Sequence, residues 1–157
     1  MSVVLNKIFN ESISEYPTEQ DQKELIKYCK TIDFRFKVLR EIEEKEQEII
    51  RKCVDNMLIS YPSMGQYNQV KEKTVRDMSI VLRYCCQSMI QDDPDFLKDQ
   101  LLFWFRTIIQ SFGFERGVIR DTYKYMDECF KTDLEAKSYK FIEPYVKTIL
   151  EILPEKL

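Results

Sequence analysis

The chain has 157 residues, of which 44% are hydrophobic and 32% charged, with only 3 glycines and 5 prolines. This profile is typical of one helical domain with a single core and argues against a disordered or fibrous chain. Because the 24 basic and 27 acidic residues are interspersed, with a net charge of −3, the sequence gives poor support to a nucleic-acid groove.

Several features that would indicate a particular kind of site or location are absent from the sequence. The sequence contains no histidine, which removes Ser-His-Asp and Cys-His nucleophiles, two-histidine metal sites and the histidine-ligated haem of ordinary globins. No apolar run approaches the roughly 20 residues of a membrane span and no signal-peptide pattern is present, so we expect a soluble, cytoplasmic protein. The five cysteines have no CxxC spacing and are expected to be reduced core thiols.

The N-terminal third of the chain predicts helices. Residues 2–16 form a short amphipathic arm, which either covers its own core or packs on a partner. Thr18 is a candidate N-cap with Asp21 in its first turn, and from there to Tyr61 the chain has neither glycine nor proline. Apolar residues in this stretch follow the helical period without a strict heptad, and the charged residues 43–48 are expected to form a solvated face.

A helix over residues 74–93 is the centre of the sequence pattern. It follows a turn at residues 62–65 and a polar connection at residues 66–73. Its apolar stripe comprises Val75, Met78, Leu82, Cys85 and Met89, and its opposite side carries Arg76, Ile80, Arg83 and Gln87. Asp77 lies at the border of the stripe, where a partly desolvated carboxylate needs a donor. That donor is either a neighbouring side chain or an N–H group of a ligand.

Three further helices are predicted after this one. Asp93 and Pro94 are placed as N-cap and first residue of an apolar helix that we expect to be buried on two sides, with Gly113 as the left-handed residue after it. Residues 116–131 form an amphipathic helix with a break at Thr132-Asp133. The last helix covers residues 134–153, and Pro144 either kinks it or begins its second part.

Several motifs resemble the phycobiliproteins, most closely the allophycocyanin subunits. They are Thr74-Val75-Arg76-Asp77, Leu82-Arg83, Asp92-Asp93, Arg106 and Ser111-Phe112-Gly113, together with the opening Met1-Ser2-Val3-Val4. The resemblance implies an all-α, globin-like phycobiliprotein fold in one domain over residues 1–157. Residues 1–16 would be an N-terminal helical arm and residues 18–157 the globin-like core.

The resemblance also implies a bilin site. The cysteine that bonds the bilin in the family falls on Thr74, Arg76 is the candidate for a propionate, and Asp77 is the candidate for the pyrrole N–H groups. Tyr67 and Val81 complete the predicted set of contacts, and the aromatic stretch 103–105 forms either a wall of the site or ordinary core. Cys85 and Cys86 lie roughly 16 to 18 Å along the helix from Thr74, too far to replace the missing thiol.

Two functions are therefore expected from the sequence. The first is an allophycocyanin-like protein outside the main antenna that binds a phycocyanobilin-type bilin, with covalent attachment left open, in light sensing or bilin handling. The second is a pigment-free regulatory or interaction protein on the same fold, with Arg76 and Asp77 as an ordinary ion pair. An enzyme such as a bilin lyase ranks last, because the sequence has no distinctive catalytic cluster.

Partners and location follow from the same resemblance. In the family an acidic residue of the first helix pairs with the arginine at position 83, but that position is Ser12 here, so ordinary pairing of unlike subunits is in doubt. A homo-oligomer or a phycobiliprotein-like subunit is the expected protein partner. The expected location is the cytoplasm, at the thylakoid surface. No cysteine lies in the turn before the last helix, so a second bilin is not expected there.

Overall fold

The computed structural model describes residues 3–6, 8 and 16–154. The regular elements in these residues are all helical, which confirms the predicted all-α class. The α-helices are α1 (Val3–Asn6), α2 (Glu19–Cys29), α3 (Ile32–Ser60), α4 (Val70–Gln91), α5 (Pro94–Leu97), α6 (Phe103–Ser111), α7 (Val118–Asp133) and α8 (Ala136–Ile152). A 3-10 turn at Pro62–Gln66 precedes α4, and a π-helical turn at Lys98–Leu102 joins α5 to α6.

Helix α4 is the central element, as the sequence pattern predicts. It packs against α3 and α8, while α3 and α8 both also pack against α7. Met78, Leu82, Cys85 and Met89 of its stripe are buried in the main core, and the residues predicted on the opposite side are exposed. The long α3 contributes Val38, Ile42, Ile49 and Ile50 to the same core, all at most 1% exposed. The core therefore lies between α3, α4, α7 and α8.

The local signals for helix ends are confirmed. Thr18 and Asp21 form a capping box on α2, in which each side chain bonds to the other residue's backbone N–H, at 3.2 and 3.0 Å. Asp93 caps α5 by accepting from the Phe96 N–H at 3.1 Å, and Pro94 is the first helical residue. Gly113 has φ of +61° after α6, as expected for the left-handed residue.

The end of α4 is held by the preceding helices. Arg35 of α3 is buried, donates to the carbonyl oxygen of Met89 and makes an ion pair with Asp92 at 2.9 Å. Tyr28 of α2 donates to the carbonyl oxygen of Ile90 at 2.8 Å. These donors satisfy carbonyl groups that the last turn of a helix leaves without an intrahelical partner. The position of α4 relative to α2 and α3 is fixed in this way.

Several predicted boundaries are wrong by a few residues. Helix α4 begins at Val70, so half of the predicted polar connection is helical. Helix α7 continues through the expected break to Asp133, and α8 begins at Ala136. Pro144 lies inside α8 and does not begin a second part of it. The stretch without glycine or proline is interrupted between α2 and α3, at residues 30–31.

Three predictions of exposure are also wrong. Glu46, in the charged run 43–48, is buried because it faces α4, where Arg83 neutralises it. Cys29 is exposed at the end of α2, whereas the other four cysteines are buried as expected. The apolar helix after Asp93 is buried on one side only, since Phe103, Trp104 and Phe112 are exposed and no described element covers that face.

Of the predicted N-terminal arm, only α1, Ile8 and Tyr16 are among the described residues. The positions compared with the family's acidic partner, Glu11 and Ser12, lie outside the described part. None of the helices in the described ranges is long and apolar enough to cross a membrane.

Candidate functional site

A cavity of about 350 Å³ lies beside the N-terminal half of α4. Its walls come from five parts of the chain: the end of α3, the connection before α4, the first turns of α4, the helix α6 with the turn after it, and the start of α7. Small-molecule sites in proteins typically occupy about 300 to 1,000 Å³ and are largely apolar with a few polar groups. This cavity has that size and composition.

Four of the five predicted site residues line this cavity together. Thr74, Arg76 and Asp77 lie on the first two turns of α4, and Tyr67 lies on the connection before it. The fifth residue, Val81, is one turn further along α4 and lines a second, smaller cavity of about 200 Å³. The structure thus places the predicted residues around two adjacent cavities. Their role towards a ligand stays a prediction.

The polar group of the site is an ion pair between neighbouring residues. Arg76 donates to Asp77 Oδ1 from Nη2 at 2.7 Å and from Nε at 2.8 Å. The Arg76 side chain is 66% exposed and the Asp77 side chain 33%. The donor that Asp77 was expected to need is therefore a neighbouring side chain in this structure. An exposed ion pair of this kind contributes about 0 to 1 kcal/mol, so both groups can be redirected at little cost.

A second cation stands at the same cavity. Lys73, also on the first turns of α4, lines the cavity and is exposed. Its ammonium group adds to the positive charge of Arg76 at one side of an otherwise apolar space. Two cations at the mouth of an apolar cavity suit a ligand with a flat apolar body and anionic groups at its edge.

Aromatic side chains form the wall opposite α4. Phe112 and Phe114 stack with ring centroids 5.3 Å apart and 6° between their planes, and Tyr67 meets Phe114 edge-on at 5.2 Å. Phe105 of α6 also lines the cavity, as the predicted aromatic wall requires. Phe103 of the same stretch does not line either of the two cavities. These rings supply a surface on which a flat conjugated ligand can stack.

The inner end of the cavity is buried, and the sequence did not predict its residues as part of the site. Met57, Met64 and Met78 form its apolar part, and each is at most 3% exposed. Tyr123 of α7 lies there too, and its pKa is raised by burial and by the negative charge of Asp77. The Tyr123 phenol consequently stays neutral and acts only as a protonated group. Because Tyr123 lies on a different helix, the spacing of residues along α4 does not indicate that it belongs to the site.

Comparison with known proteins agrees with this architecture. The model of the phycobilisome protein family matches residues 10–153. This chain belongs to the phycobilisome protein family. No curated protein matches the chain at a significant level.

Membership of the phycobilisome protein family confirms the predicted relationship and the globin-like, all-α fold. The family generally binds linear tetrapyrrole bilins. Since the match extends over α2 to α8, it includes every residue named above around the two cavities. The family's ligand class therefore has the flat body and the anionic edge that the first cavity suits.

Neither cavity is lined by a thiol. Thr74 offers a hydroxyl group to the first cavity, and none of the five cysteines lines either one. Burial raises the pKa of Cys85, and that of Cys86 to about 12. Since the thiolate is the nucleophile, these two groups are unreactive near neutral pH. No group of histidine, cysteine and acidic residues in the described ranges is arranged to hold a metal ion.

Proposed function

We propose that this member of the phycobilisome protein family is an allophycocyanin-like protein that binds a linear tetrapyrrole of the phycocyanobilin type without a covalent bond. It acts outside the main antenna, in light sensing or bilin handling. The observation that carries the proposal is the convergence of Arg76, Asp77 and Thr74 on one apolar, aromatic-walled cavity. A bilin supplies visible light absorption there.

The polar residues of the cavity match the polar groups of such a ligand. Asp77 accepts hydrogen bonds from the inner pyrrole N–H groups, and its negative charge favours their protonated form. Arg76, released from Asp77, pairs with one propionate. Lys73 stands where it can pair with the other, which gives each ligand charge a partner from the first turns of α4.

The apolar residues position the ligand and exclude water. Phe105, Phe112 and Phe114 offer ring faces to a conjugated body, and the buried methionines close the inner end. Less water in the cavity strengthens the interaction of Asp77 with the pyrrole groups, because the local dielectric is lower. Tyr123 remains neutral beside that carboxylate and so adds no competing negative charge.

The absence of a thiol in the cavity supports noncovalent binding. A thioether needs a cysteine within bonding distance of the ligand, and Thr74 occupies the position where the family resemblance places it. A noncovalent ligand can be released and passed on, which suits bilin handling.

We infer a binding protein and not an enzyme. Its partners would be the bilin and a second copy or another phycobiliprotein subunit, in the cytoplasm at the thylakoid surface.

The alternative is a pigment-free regulatory or interaction protein. The observation that favours it is the ion pair itself, since Arg76 and Asp77 satisfy each other without a ligand. On this alternative, the cavity would not bind bilin and the two charges would only contribute to the surface of α4.

The deciding experiment is co-expression of the chain with haem oxygenase and a bilin reductase. The absorbance of the purified protein is measured before and after denaturation in acidic urea, and the denatured chain is stained with zinc on a gel. A visible band that is lost from the chain on denaturation supports the proposal. A band that stays with the chain contradicts noncovalent binding, and the absence of any band favours the pigment-free alternative. Arg76→Ala should lower the pigment content. Arg51→Ala, which changes an exposed residue on α3, serves as its control.

A further inference from the structure

The second cavity shares a wall with the first. Both are lined by Arg76 and Asp77 of α4 and by Phe105 and Ile108 of α6. The first extends from this wall towards the connection before α4, and the second extends towards Val81. The two spaces are thus neighbours along the groove between α4 and α6.

The ion pair of Arg76 and Asp77 lies at this shared wall. Adjacent residues on a helix point about 100° apart and do not face each other. The Arg76 guanidinium must therefore fold back across the helix surface to reach the Asp77 carboxylate at 2.7 Å. Because the Arg76 side chain is two-thirds exposed, this pairing is weak and easily broken.

The second cavity has an apolar surface that the described part of the chain leaves uncovered. Val81 and Leu101 form its buried floor, and Trp104 and Ile80 form its exposed rim. Trp104 is 62% exposed and is the only tryptophan in the sequence. An indole ring so exposed offers a stacking face to a ligand.

We propose that the two cavities are lobes of one ligand groove, divided in the free protein by the Arg76–Asp77 ion pair, and that the second lobe holds one end ring of an extended tetrapyrrole against Trp104. This inference rests on the proposed function and adds a specificity element to it. When a propionate pairs with Arg76 and the pyrrole N–H groups bond to Asp77, the Arg76–Asp77 ion pair breaks and the two lobes become continuous. The first lobe, at about 350 Å³, is near the small end of ligand sites, so a long four-ring ligand needs the additional room.

The test is a titration of the purified protein with biliverdin, followed by visible absorbance. Trp104→Ala should weaken binding about fivefold, the scale of one aromatic stacking contact, and Trp104→Phe should restore most of the affinity. The matched control is Phe103→Ala, which changes an exposed aromatic residue on the same helix that lines neither lobe. Trp104 is exposed, so its replacement is not expected to disturb folding.

A second readout uses the wild-type chain alone. Hydroxyl-radical footprinting with mass spectrometry should show severalfold protection of Trp104 when biliverdin is bound, with Phe103 unprotected as an internal control. Unchanged affinity of Trp104→Ala, or equal reactivity of Trp104 with and without biliverdin, would overturn the second lobe while leaving the proposed function in place. Failure of the wild-type protein to bind biliverdin would overturn both.

Discussion

Arg83 of α4 donates from Nη2 to Oε1 of Glu46 on α3, at 2.9 Å. The two partners differ in their surroundings, since the Glu46 side chain is 11% exposed and the Arg83 side chain 66%. The resemblance to phycobiliproteins places the partner of this arginine on another subunit. In this structure the acidic partner of Arg83 is Glu46 of the same chain, so the charge of Arg83 is neutralised before any subunit binds.

The difference in exposure predicts unequal costs for the two halves of the pair. Arg83→Ala leaves the Glu46 carboxylate in a poorly hydrated site without its cation, and should lower the free energy of unfolding by about 2 kcal/mol. Glu46→Gln leaves Arg83 in contact with water and should cost about 1 kcal/mol or less. Urea unfolding of both variants measures the two values.

The control for this pair is Lys71→Ala, which breaks an exposed ion pair with Asp55 and should change stability by no more than about 0.5 kcal/mol. If Glu46→Gln costs more than Arg83→Ala, the burial of the carboxylate does not decide the energetics of this pair.

Asp77→Asn tests the carboxylate at the centre of the proposed site. The amide has no negative charge to favour protonated pyrroles, so the long-wavelength band of a bound bilin should weaken and shift to the blue. Affinity should fall about tenfold, the scale of one hydrogen bond to a charged group. Absorbance reports the pigment, and far-ultraviolet circular dichroism should show an unchanged helical fold.

Asp95→Asn is the matched control for Asp77→Asn, because Asp95 is also in an ion pair, with Lys98, but is 75% exposed and lines neither cavity. Its spectrum should equal that of the wild type. A wild-type spectrum in Asp77→Asn as well would remove Asp77 from its assigned role.

The parts of the fold that the sequence predicts are those with local causes. The apolar stripe of α4, the capping box of Thr18 and the Asp93-Pro94 start all depend on residues within a few positions of one another. The end of α7 was placed too early because Thr132-Asp133 has the composition of a break. In the structure the Thr132 hydroxyl donates to the carbonyl oxygens of Glu128 and Cys129, which lets it remain within the helix.

The residues of the candidate site also divide into those that a local pattern predicts and those that it does not. Thr74, Arg76 and Asp77 were predicted because they share two turns of one helix. Phe114 and Tyr123 were missed as parts of the site because they reach it from the turn after α6 and from α7, through tertiary packing that a helical period does not encode. Glu46 was misjudged for a similar reason, since a run of charges does not show which member faces a neighbouring helix.

Thiol reactivity tests the burial of the cysteines. Cys29 is exposed, whereas the remaining four are buried. Burial raises the pKa of Cys86 to about 12, so only about one molecule in ten thousand carries that thiolate at pH 8. A chromogenic disulfide reagent at pH 8 should therefore react rapidly with one thiol per chain, and with the other four only after denaturation.

Cys29→Ser is the matched variant for this measurement, and it should lose the rapid phase without a change in stability. Rapid reaction of more than one thiol in the native wild-type protein would show that the core opens around α3, α4 or α7 on the timescale of the assay.

Acid stability tests a contact that joins the end of α3 to the start of α7. The Tyr61 hydroxyl donates to Asp121, and Arg120 Nε donates to the same carboxylate at 3.0 Å. These two hydrogen bonds hold the pKa of Asp121 below its ordinary value of 3.8. A carboxyl group with a lowered folded-state pKa stabilises the protein above its unfolded-state pKa, and this contribution is lost as the pH falls through the folded-state value.

Because the Asp121 side chain is 43% exposed and water screens its contacts, Asp121→Asn should destabilise the protein by only about 0.5 to 1 kcal/mol at pH 7, and by progressively less below pH 4. Urea midpoints of the wild type and the variant, measured from pH 7 to pH 2.5, give the difference directly. Asp55→Asn, which removes an exposed carboxylate paired with Lys71, should show only a small difference over the whole range. A difference for Asp121→Asn that stays constant down to pH 2.5 would mean that the amide's altered packing, and not the lost negative charge, accounts for the destabilisation.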